Sequence, residues 1–107
     1  MKDRYTWTPV GGSPTILDFS KCRCVSEFHQ VLRKAFGFPA YYGENPDALW
    51  DLLDGFFGDR EGEPWEVYVF GWANLENRFS LEFRRMYWSV FENAEKEYPN
   101  VRFLRKY

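Results

Sequence analysis

Three aspartates, Asp47, Asp51 and Asp54, recur at i, i+4 and i+7 within the stretch from Tyr41 to Phe57, YYGENPDALWDLLDGFF. On a helix this spacing stacks three carboxylates on one face. Paired carboxylates can do acid–base work on a glycoside when roughly 5–9.5 Å apart, and Asp47 and Asp51, one turn apart, are spaced permissively. Both would sit on one convex helix, however, with no evident cleft, no second base and no metal-ligand set. A solvated face is the common fate of a charge run. The remaining reading is a surface kept for a cationic partner. No lysine or arginine falls between Tyr41 and Phe57 to relieve the acids. The other reactive residues are sparse. His29 is the one histidine and has no paired nucleophile, so its expected role is structural. Cys22 and Cys24 form a lone C-x-C pair, poor as a metal site and ill-suited to a disulfide. No cofactor and no metal are expected, and two reduced thiols suit a cytoplasmic protein.

A helix must carry the acids. Asn45 is a strong N-cap candidate, and Pro46 falls at the first helical position, where its missing donor costs nothing. Gly43 would let the backbone turn sharply before the cap, and Gly55 would end the helix in the left-handed conformation. Leu49, Leu52, Leu53 and Phe56 form the apolar stripe, with Trp50 between the stripes and half exposed. Like charges at i, i+4 cost roughly 0.2–0.5 kcal/mol per pair. Asp47 gains from the helix dipole, whereas Asp54 lies near the negative end. On this reading Asp54→Ala leaves stability unchanged or raises it.

The 107 residues suit one domain, and 21% are aromatic. Net charge is −2, which argues against a general nucleic-acid binder. The balance is uneven. Residues 41–63 hold seven acids against Arg60, a net of −6, leaving +4 elsewhere. Such a field steers a basic partner and repels RNA phosphate. No apolar run approaches the ~20 residues of a membrane span, and the first residues lack the apolar region of a signal peptide.

Residues 1–13 read as a loosely packed arm ending in a Gly-Gly-Ser-Pro turn. Thr15 to Phe19 reads as a strand. A helix follows with Ser26 as N-cap, Val25 as a staple, and Phe28, Val31, Leu32, Ala35 and Phe36 on its buried face. Gly37 and Pro39 end it. After the acidic helix, Val67 to Phe70 reads as a central strand buried on both sides. Leu75 to Phe79 suits a helical turn, and Ser80 caps a long helix that buries Phe83, Tyr87, Val90, Phe91 and Ala94. Val101 to Leu104 is the last strand. The order β-α-α-β-α-α-β predicts an α/β fold: a three-stranded parallel sheet packed with about four helices.

With these residues in place, YYGENPDALWDLLDGF resembles the signature of the barstar family, intracellular inhibitors of barnase-like ribonucleases. Weaker similarity reaches Ser26 to Gln30, Val90 to Ala94 and the final strand. The resemblance implies a binding protein, not an enzyme. Its acidic helix would enter the active site of a secreted or delivered ribonuclease toxin, with a 1:1 complex or a free monomer as its states. Asp51 would stand in for an RNA phosphate among the enzyme's basic groups. Asp47, Tyr41, Gly43, Trp50 and Val90 match further contact positions, and Asn45 and Asp54 complete the set. Pro46 replaces a leucine-like contact, Phe56 a tryptophan, and Asn93 a contacting glutamate, so a ribonuclease distinct from barnase is implied. The resemblance also places Tyr41 outside and Tyr42 inside. From the residues themselves, Glu44 would cap or orient the loop, and Arg84 and Arg85 would form a solvated face or touch a partner's acids or RNA. A generic interaction module for another basic partner is the alternative.

Overall fold

The computed structural model describes residues 13–106. The arm expected over 1–13 lies outside them except for Ser13, whose Oγ accepts the Glu66 amide at 3.0 Å. Three strands, β1 (Thr15–Asp18), β2 (Trp65–Phe70) and β3 (Val101–Lys106), form one parallel sheet in the order β1-β2-β3. Val67 pairs with both Thr15 and Phe103, which fixes the register on either side. Three helices intervene: α1 (Val25–Phe36), α2 (Pro46–Gly58) and α3 (Leu81–Glu97). A 3-10 turn spans Trp72–Asn77, starting earlier than expected because Gly71 takes the left-handed conformation directly after β2. This is the predicted α/β fold.

Burial along β2 alternates. Trp65, Val67 and Val69 are buried, whereas Glu66, Tyr68 and Phe70 are half-buried. The apolar run therefore does not mark a strand covered on both faces. α1 packs on β1, α3 on β3 and α2 on α3. Aromatic rings knit these layers: Phe19 stacks on Phe28 at 4.9 Å, and Phe91 on Phe103 at 4.6 Å.

α1 starts one residue before the expected cap. Cys24 takes the extended cap conformation without a side-chain bond, and Ser26 lies inside the helix. The Glu27 carboxylate fixes the entry to the helix, accepting the Arg23 amide at 2.8 Å and pairing with its guanidinium at 2.9 Å. That bond holds its pKa below the usual carboxylate range. Val25 is exposed rather than a staple. Gly37 ends α1 as expected, at φ 71°.

Candidate interaction site

The loop from Gly37 to Asn45 delivers the chain to α2. Tyr42 is buried and Tyr41 is 57% exposed, the expected arrangement. The Tyr42 hydroxyl lies 2.8 Å from His29 Nδ1, and the Tyr87 hydroxyl 3.3 Å from His29 Nε2. This buried triad joins α1, the loop and α3. Burial lowers the His29 pKa below its ordinary 6.5, so the ring is neutral at pH 7. Burial also raises both tyrosines, Tyr87 to about 12.

Gly43 is not the left-handed residue of the turn; Glu44 is, at φ 53°. Gly43 serves close approach instead, because a Cβ there would meet Ala48 Cβ at 3.3 Å. Glu44 orients the loop through an ion pair with Arg33 at 2.8 Å. Asn45 caps α2 as predicted: its Oδ1 accepts the Ala48 amide at 2.8 Å, and its Nδ2 donates to the Gly43 carbonyl at 3.2 Å. Pro46 opens the helix.

Along α2, Leu49, Leu52 and Leu53 face the core, while Asp47 and Asp51 are exposed and Trp50 is half-buried. Pro46, Asp47 and Trp50 form one wall of an open groove of about 570 Å³ against α3. Val90 is 6% exposed and contributes to the groove lining rather than projecting from it. Met86, Ser89, Asn93, Lys96 and Glu97 complete the opposite side. Of these, Asn93 is the one expected from sequence; the helical spacing of Met86, Val90 and Asn93 is the signal for the rest.

The C-terminal half of α2 departs from expectation. Phe56 is 1% exposed and packs on Phe36 and Trp65 at 5.2 and 5.3 Å, so it is a core ring and not a surface contact. Asp54 is half-buried and accepts the Tyr98 hydroxyl, which also reaches the Asp54 carbonyl at 3.0 Å. Burial, then this carboxylate, raises the Tyr98 pKa. The premise that Asp54 is an unrelieved charge therefore fails. Gly55 does not end the helix. α2 runs on to Gly58, because Phe57 must also reach the core. Arg60 closes it, donating to the Phe56 carbonyl at 2.6 Å with its guanidinium 3.9 Å from the Phe56 ring. The single base of residues 41–63 thus serves the helix end rather than the exposed aspartates. Arg84 is likewise engaged, with Nε donating to the Phe79 carbonyl at 3.3 Å, while Arg85 is exposed.

Cys22 and Cys24 are free thiols, the first buried. Among the described residues, no cluster could hold a metal ion, and no helix is long and apolar enough to cross a membrane.

A three-stranded parallel sheet carrying helices on one face, with an acidic, aromatic-flanked second helix, is the architecture of barstar-like α/β domains. The chain belongs to the barstar (barnase inhibitor) family, whose profile matches residues 14–105. A Bacillus subtilis (strain 168) protein named "Putative ribonuclease inhibitor YrdF" is 42% identical over 41 residues, which are 38% of this chain and 45% of that relative. The match thus spans less than half of the relative's length.

Proposed function

We propose that this protein is a ribonuclease inhibitor of the immunity type, which docks α2 and the groove beside it into the active site of a barnase-like ribonuclease toxin. The observation that carries the reading is the exposure of Asp47 and Asp51 on a firmly capped helix, next to Trp50 and Tyr41, in a domain of the barstar family. A carboxylate is costly to bury unless paired, so this face suits a pocket already lined with cations. Such a pocket evolved for RNA phosphate, and a carboxylate forms the same charge-assisted bonds. Asp51 takes the phosphate position, Asp47 flanks it, and Trp50 and Tyr41 supply rigid contact area. Asn93 and Pro46, where family contacts differ, favour a nuclease other than barnase. Two free thiols suit the reducing cytoplasm, where a cell's own RNA needs protection, and a 1:1 complex follows from a single such face.

The test is a titration of barnase and a panel of barnase-like ribonucleases, following RNA cleavage. Wild type is expected to stop at least one of them at one equivalent. Asp51→Ala is expected to weaken inhibition at least thirtyfold, since a central interface charge is worth about 2 kcal/mol or more. Equal inhibition by both proteins overturns the reading. Added salt is expected to slow association, because the acidic face steers it.

A further inference from the structure

The loop ahead of α2 is gripped at alternate residues by one face of α1. His29 and Arg33 lie four apart and so project from the same side of the helix. Tyr42, whose amide closes a turn onto the Pro39 carbonyl at 3.1 Å, and Glu44, at its left-handed φ, both turn toward that face. His29 Nδ1 meets the Tyr42 hydroxyl at 2.8 Å, and Arg33 Nη2 donates to Glu44 Oε2 at 2.8 Å. The Arg33 guanidinium also lies 6.0 Å from the Tyr42 ring centroid, linking the two grips. Tyr41 and Gly43, the residues on either side of Tyr42, are exposed.

We propose that Arg33 and Glu44, together with the His29–Tyr42 bond, are positioning residues that preset this loop so that Tyr41 is presented beside α2 before any partner arrives. The proposal rests on the reading of α2 as the ribonuclease-binding face; Arg33 and Glu44 act through the loop. Two observations single them out. Glu44 holds a left-handed φ of 53°, which glycine would adopt more easily. What glycine lacks is the carboxylate, and that carboxylate meets Arg33. In turn Arg33 keeps its buried Nε without a hydrogen-bond partner while it reaches Glu44. Both residues accept a local cost for one contact. That contact is a half-exposed ion pair, of a kind that contributes little to global stability. Its effect is geometric: a loop already in its bound shape loses less freedom on binding.

The experiment combines thermal unfolding, backbone order parameters from nuclear magnetic relaxation, and inhibition of a ribonuclease that wild type blocks. Arg33→Met keeps the aliphatic stem and removes the cation. It is expected to leave the melting temperature within a few degrees. Order parameters at Tyr41 and Gly43 are expected to fall from the rigid range, about 0.85, to below about 0.6. Glu44→Gln is expected to match it, and both Arg33→Lys and the exchanged pair Arg33→Glu with Glu44→Arg are expected to restore order. Inhibition by Arg33→Met is expected to weaken about three- to tenfold, an effect that vanishes in a Tyr41→Ala background. Unchanged order parameters in Arg33→Met overturn the clamp. A loosened loop with undiminished inhibition overturns its positioning role. Equal inhibition by wild type and Asp51→Ala strikes the reading of α2 instead, a result distinct from either.

Discussion

The two halves of α2 use the same residue types for opposite ends. Asp51 and Asp54 are three residues apart, yet Asp51 is exposed beside Trp50 and Asp54 is tied to the Tyr98 hydroxyl. Pro46 and Trp50 stay at the groove, whereas Phe56 and Phe57 are sealed among Phe36, Trp65 and Phe103. The N-terminal half is a display surface and the C-terminal half is its anchor. A short helix of 13 residues is marginal alone, so its acids are presented in fixed geometry because Leu49 and Leu52 bury its inner side and the rings of its far end lock it into the core.

The largest expected effect falls on the anchor. Phe56→Ala should cost about 3–5 kcal/mol in denaturant unfolding, as a buried ring's removal leaves a cavity; a cost below about 1 kcal/mol would break the division between the halves. Tyr98→Phe deletes only the hydroxyl that Asp54 accepts. It should cost about 1 kcal/mol, discounted for the partial exposure of Asp54. Asp54→Ala should then be destabilising as well, the reverse of what a stacked, unpaired charge predicts. Next comes pH. The folded His29 pKa lies below its ordinary 6.5, so in mild acid the unfolded chain takes up a proton that the folded chain refuses. This contribution to stability is intact above pH 6.5 and declines as pH falls toward the folded value. His29→Gln should flatten the stability profile between about pH 7 and 5. The smallest effect belongs to the display half: Asp51→Ala should change unfolding free energy by no more than about 0.5 kcal/mol. A large loss there would show that the two halves are not separable.

Much of this was legible in the chain. Local chemistry was read directly: Asn45 and Pro46 start α2, Gly37 stops α1, and Ser80 caps α3 by accepting the Phe83 amide. Element order gave the parallel sheet, and the motif gave the family. What failed depended on neighbours distant in sequence. Nothing near Asp54 announces that Tyr98 will reach it, and nothing near Phe56 announces Trp65. Gly55 looked like a stop because glycine often is one, but the demand to bury Phe57 carried the helix past it. Ser26 is not the cap because the helix already begins at Val25, with Glu27 reaching back to Arg23 ahead of it. At the loop, turn chemistry pointed to Gly43, while the contact with Arg33 put the left-handed residue at Glu44.

The order in which these anchors are made has its own consequence. α2 leans on Trp65, Tyr98 and Phe103, all of which follow it in the chain. During translation the acidic helix leaves the ribosome before any of them, at roughly 5–20 residues per second. A nascent chain halted ahead of β3 therefore carries Asp47 and Asp51 without the whole scaffold that aims them. The exposed acidic face of α2 is therefore held in its final geometry only once the last strand has docked, so the end of the chain decides when its middle is ready.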